Sequence, residues 1–80
     1  MAVTVLVSGR IREVRERSIM LGLKKSTPFE DYFRYAFIPI SLICKTDNKL
    51  TENSEVVLTL PEWFCIKESI PYEYEEDPNG

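Results

Sequence analysis

Eighty residues, 44% of them hydrophobic and 29% charged, make one soluble domain, too small for a two-domain cleft or a large enclosed substrate cavity. Histidine is absent, which removes the commonest general base and neutral metal ligand, and the two cysteines allow neither a four-thiolate metal site nor a multi-bridge framework. The net charge of -3 is unevenly spread: six bases face two acids between residues 10 and 25, and four of the thirteen acids (Glu73, Glu75, Glu76, Asp77) lie in the last ten residues.

Residues 3 to 12, VTVLVSGRIR, keep a period of two through Val3, Val5, Val7 and Ile11, as a half-buried strand does. Gly9 falls in the same register and predicts a bulge or bend within that strand. The charged link REVRER leads to a second alternation, Ile19, Leu21 and Leu23, so the two runs are expected to form a hairpin. KKSTPFEDYF breaks the pattern and reads as a loop. Arg34 to Ile40 is the third strand, with Tyr35 and Phe37 on one face and Ala36, Ile38 and Ile40 on the other; Pro39 confines it to an edge or an early end. ISLICK is either a short helical turn or continuing strand, TDNKLTENSE is a polar loop, and Val56 to Leu60 is the fourth strand.

Pro61, with Thr59 and Glu62 at capping-box spacing, predicts a short helix over residues 61 to 69. Trp63, Ile66 and Ile70 occupy an i, i+3, i+7 stripe, which predicts that they dock on the sheet. Residues 1–70 are therefore expected to fold, and residues 71–80 to form an acidic disordered tail. Cys44 and Cys65 are both expected to be buried and reduced. No run of apolar residues approaches the roughly 20 needed to span a membrane, and no leader precedes the first strand, so a cytoplasmic chain is expected.

Three stretches, REVRERSIML, FIPISLI and LTLPEWFCIKESI, resemble a pattern shared by small, mostly uncharacterised proteins of phages and other bacterial mobile elements. That pattern combines an Arg-Glu turn, a strand closing in Ile-Pro-x-Ser-x-Ile, and a C-terminal Pro-Glu-Trp helix. Ile40 departs from it where a Lys is usual, and KKSTPFEDYFRY is longer than the usual connection. The resemblance implies a mainly β fold with one C-terminal helix, a small OB-like or SH3-like β-barrel of four to five strands, and lends no catalytic residue or cofactor.

Small barrels with a bent first strand commonly bind single-stranded nucleic acid with a basic groove and stacking aromatics. The candidates here are Arg10, Arg12, Arg15, Arg17, Lys24, Lys25 and Arg34 for phosphates, and Phe29, Tyr32 and Phe33 for bases. A second possibility is a protein-binding module that modulates a host protein, such as a defence enzyme, through an acidic surface (Glu52, Glu55, Glu62, Glu68 and the tail) or a sheet edge. The same edge could make a homodimer. No phosphate-cradling glycine loop or ordered carboxylate pair supports an enzyme, and none is expected.

Overall fold

The computed structural model describes residues 3–24 and 33–75. Within them the chain is mainly β: β1 (Thr4–Val14), β2 (Ser18–Lys24), β3 (Phe33–Pro39), β4 (Lys45–Thr46), β5 (Glu55–Pro61), α1 (Glu62–Glu68) and β6 (Glu73–Tyr74). A single 3-10 turn, Ile40–Leu42, follows β3 and resolves the ambiguity of ISLICK. All strand pairs are antiparallel, in the order β3-β2-β1-β5-β4, with β6 added to β1. The sheet is not closed into a barrel, and among the described residues it has six strands where four to five were expected; β4 and β6 are two-residue ladders too short to carry an alternation signal.

β1 organises the sheet because it is longer than any partner. One side pairs with β5 from Thr4 to Arg10; the other pairs with β6 at Val5 and Leu6 and with β2 from Gly9 to Val14. Gly9 sits where both long ladders overlap, opposite Leu23 and Val56. A Cβ there would lie 2.7 Å from the Gly22 carbonyl oxygen and 2.8 Å from Leu21 Cγ, so the close approach of β2 requires the glycine. The irregularity predicted at Gly9 occurs instead between Ile11 and Glu13, where Arg12 is the extra residue.

The inward positions are those the alternation predicts except Val3, which is exposed just before β1: Val5, Val7 and Ile11 from β1, Ile19, Leu21 and Leu23 from β2, Ala36 and Ile38 from β3, Val56, Leu58 and Leu60 from β5, all buried. The β1–β2 hairpin turns at Glu16 and Arg17, neither in the left-handed region, and is closed by the Arg15 N–H on the Ser18 carbonyl at 2.8 Å. The polar loop after β4 is held by its own side chains, with the Asp47 carboxylate accepting the Val57 N–H at 2.8 Å.

The chain passes from β5 directly into α1. Pro61 is the N-cap rather than the first helical residue, and no described side chain caps that end of the helix, so the predicted Thr59–Glu62 box does not form. Thr59 is instead a β5 residue opposite Leu6 and Lys45. The helix buries Phe64 and Cys65, with Ile70 just beyond it, and leaves Trp63 and Ile66 facing out at 52% and 61% exposed. The predicted docking stripe is therefore rotated by about one residue. Cys44, expected in the core, is exposed, while Cys65 is buried as expected.

Ordered structure also continues past residue 70, where a disordered tail was expected: Tyr74 pairs with Val5, and its hydroxyl donates to Glu62 Oε2 at 2.5 Å. Residues 76–80 lie outside the described residues.

Candidate nucleic-acid interface

Opposite the core, the strands β1, β2 and β3 present an outer face on which basic and aromatic side chains interleave. The ladder registers define its rows. Glu55, Arg10, Gly22 and Tyr35 follow one another across β5, β1, β2 and β3, and Glu13, Met20 and Phe37 form the next row. Tyr35 and Phe37 are two residues apart on β3 and so share this face, 47% and 51% exposed.

Gly22 leaves the middle of its row without a side chain, and the Tyr35 ring lies over the gap: a Cβ on Gly22 would come within 3.5 Å of Tyr35 Cε1. Over that low floor the Arg12 guanidinium reaches from β1 to 5.7 Å from the centre of the Tyr35 ring. Arg12 lies two residues beyond Arg10 and so shares the outer face, and as the bulge residue it has no partner opposite it on β2. Arg15, just past the end of β1, lies 5.1 Å from the Phe37 ring centre. Each ring thus carries a cation, and each cation reaches it from the neighbouring hairpin.

Two of the arginines are also in surface ion pairs, Arg10 with Glu55 at 3.1 Å and Arg15 with Glu13 at 3.2 Å. All four partners are solvent-exposed, so each pair is worth about 0–1 kcal/mol and yields to a stronger anion. Arg17 is exposed at the turn, where its backbone carbonyl accepts the Ile40 N–H at 2.9 Å.

The remaining predicted residues divide in two. Lys24 and Phe33 face each other as the last backbone pair of the β2–β3 ladder, and Lys25, Phe29 and Tyr32 lie outside the described residues. Arg34 belongs elsewhere: it is in phase with the inward residues Ala36 and Ile38, and its guanidinium donates to the carbonyls of Ser69, at 2.7 Å, and Glu68. It closes the C-terminus of α1 and is removed from the outer face.

FRYAFIP puts Tyr35 and Phe37 on one face, but the other face is equally apolar, so alternation alone leaves both faces open to burial.

A second cluster surrounds the start of α1. The Glu62 carboxylate accepts the hydroxyls of Tyr74 and Tyr72, the latter at 3.4 Å, and the two rings meet edge to face with centroids 5.5 Å apart. The bond to Glu62 raises the Tyr74 phenol well above its usual range, and the neighbouring Tyr72 adds to it. Burial, and then the charge of Glu62, raise the Cys65 thiol, which keeps it protonated and unreactive. No helix is long and apolar enough to cross a membrane among the described residues.

Comparison with known proteins returns no matching family, no matching curated protein and no matching solved structure.

Proposed function

We propose that the protein binds single-stranded nucleic acid on the outer face of β1, β2 and β3, without catalysis. Tyr35 and Phe37 serve as stacking platforms, and Arg10, Arg12, Arg15 and Arg17 contact phosphates. The observation that carries this reading is the pair of exposed rings on one strand, each with a guanidinium beside it.

Magnitudes favour the exchange that binding requires. An exposed cation–π contact is worth about 0.5–1 kcal/mol, whereas a base stacked on an aromatic ring contributes roughly 1–3 kcal/mol. A base therefore displaces the arginine from the ring, and the released guanidinium moves to the adjoining phosphate, where a charge-assisted bidentate bond replaces the contact it lost. Lys24, Lys25, Phe29, Tyr32 and Phe33, on or beside the β2–β3 connection, belong to the same reading as an extension of the groove. Arg34 does not, because releasing it would strip the helix end of its donors.

With about four phosphates neutralised, the logarithm of affinity falls against the logarithm of salt with a slope of about -3. Fluorescence anisotropy of a labelled single-stranded oligonucleotide at two salt concentrations tests the reading. The wild type is expected to bind in a salt-dependent way. Arg12→Glu is expected to weaken binding and flatten the salt slope, and Tyr35→Ala to weaken it at unchanged slope. A folded wild type that binds no oligonucleotide overturns the proposal.

A further inference from the structure

β3 is the longest sheet edge among the described residues, and its free side is defined by one hydrogen bond. Strand β2 occupies the other side, in the register Ser18↔Pro39, Ile19↔Ile38, Met20↔Phe37, Leu21↔Ala36 and Gly22↔Tyr35. The same register continues to Arg17 and Ile40, where the Ile40 N–H donates to the Arg17 carbonyl at 2.9 Å. In an antiparallel ladder alternate residues turn both backbone groups to the same neighbour. Ile40, Ile38, Ala36 and Arg34 therefore turn theirs to β2. Tyr35, Phe37 and Pro39 turn theirs away.

Pro39 fits that assignment, since a residue without an N–H is tolerated where the N–H would face away from the sheet. Tyr35 and Phe37 are then left with outward N–H and C=O groups that no described strand pairs. Edges of this kind are usually blunted by charge. The one charged side chain described on β3, that of Arg34, is instead turned to the α1 terminus.

We infer that β3 pairs antiparallel with β3 of a second copy of this chain, about a two-fold axis at Ala36. The strand is self-complementary in that register. Tyr35 of one copy faces Phe37 of the other, so each exchanges both backbone hydrogen bonds with its opposite number. Ala36 faces its own mate at the closest approach, about 4.5 Å between Cα atoms, and its small side chain leaves that contact free of clash. Pro39 falls at the end of the ladder, where its missing N–H ends the pairing.

The two-fold axis is perpendicular to the sheet, so the two outer faces lie on the same side. Tyr35 and Phe37 of both copies then form cross-strand aromatic pairs, a recognised source of sheet stability. The pairing also gathers Arg12 and Arg15 of both copies on one surface. Their mutual repulsion opposes association at low salt and is screened at high salt, the reverse of the salt response expected for nucleic-acid binding. A seven-residue edge buries less than a standard interface, so the dimer is weak, with a dissociation constant on the order of micromolar or above.

Sedimentation velocity over a concentration series tests the pairing with Phe37→Ala and Phe37→Pro. The alanine keeps the outward N–H and removes the ring; the proline removes both while leaving the bonds to β2 intact. The wild type is expected to show a monomer–dimer equilibrium strengthened by salt, with Phe37→Pro at least about tenfold weaker than Phe37→Ala. A strictly monomeric wild type, or equal association of the two variants with circular dichroism showing both folded, overturns the inference.

Oxidation of Ala36→Cys in a Cys44→Ser background tests the register without depending on the proline. A disulfide-linked dimer at position 36, formed faster than by Ser41→Cys in the same background, is expected. Equal or slower cross-linking at position 36 overturns the two-fold axis proposed here.

Discussion

The guanidinium of Arg34 donates to the backbone carbonyl of Ser69 at 2.7 Å, tying the start of β3 to the end of α1 across 35 residues of sequence. Ser69 is the C-cap, in the left-handed region at φ 55°, and its N–H already returns to the carbonyls of Cys65 and Ile66. The last carbonyls of a helix carry its negative dipole end and otherwise have only water for a partner. A fixed cation there acts as the C-terminal counterpart of a cap.

Arg34→Ala is accordingly a stability variant. Loss of a charge-assisted pair of bonds at an exposed site is expected to cost about 1–2 kcal/mol, which for a domain of this size lowers Tm by roughly 4–15 °C. Lysine at the same position restores part of the loss because it brings the charge without the fork. Oligonucleotide affinity is expected to stay unchanged at a temperature where the variant is folded. Thermal unfolding followed by anisotropy separates the two, and reduced affinity in a folded Arg34→Ala would return Arg34 to the interface.

Gly9 and Gly22 occupy equivalent-looking places in the sequence but opposite ones in the sheet. A methyl at Gly9 meets backbone and core atoms at 2.7 Å and 2.8 Å, so Gly9→Ala is expected to cost about 1–3 kcal/mol by overpacking. A methyl at Gly22 finds its nearest neighbours at 3.4 Å and 3.5 Å on the outer face, the latter being Tyr35. There, alanine is expected to be neutral or to stabilise by up to about 1 kcal/mol through the unfolded chain. Its Cβ would meet the Tyr35 ring at ordinary van der Waals distance, so the Arg12 contact is expected to persist. Urea denaturation of both variants checks the ranking, and a Gly22→Ala variant less stable than Gly9→Ala would show the close approach of β2 to be wrong.

Trp63 and Phe64 are neighbours in the chain with reversed environments, Trp63 half-exposed and Phe64 buried. Phe64→Ala is expected to cost roughly 3–5 kcal/mol, a large part of the stability of a domain this small, while Trp63→Ala is expected to remain within about 1 kcal/mol of wild type. Trp63 is the sole tryptophan, so its emission reports its surroundings directly. Red-shifted emission that acrylamide quenches readily is expected; a blue-shifted, protected emission would put Trp63 back in the core.

The contrast between those two residues shows what the sequence carried and what it did not. Strand alternation was legible because polar and apolar residues take turns at Val5 to Val7 and Ile19 to Leu23, leaving one register possible. The helix offers four consecutive apolar residues, Trp63 to Ile66, and two turns of such a sequence have no unique buried face. Its rotation is set from outside, by Pro61 leading straight from β5, by the Glu62 N–H bonded to the Val3 carbonyl at 2.8 Å, and by Arg34 at its far end. For the candidate site the arginines of β1 were legible through their alternation. The choice of Tyr35 and Phe37 was not, because it depends on which sheet face the rest of the chain covers.

The Glu62–Tyr74 bond gives the chain a defined response to alkaline pH. Glu62 is the first residue of α1 and Tyr74 lies on β6, so the bond fastens the last strand to the helix. A phenol donating to a carboxylate must lose that bond to ionise, which is why the Tyr74 phenol is raised. The linkage has one sign. Stability from a raised group is complete below the ordinary tyrosine pKa of about 10 and is lost as pH rises toward the raised folded value, because the unfolded phenol ionises first. Unfolding at alkaline pH is therefore expected to become easier in the wild type, and less so in Tyr74→Phe, which has no proton to lose. In an ultraviolet titration of the folded protein Tyr74 is expected to ionise later in the wild type than in Glu62→Gln. Superimposable titration curves for wild type and Glu62→Gln would show that Tyr74 does not donate to Glu62 in solution and that β6 is held by its two-residue ladder alone.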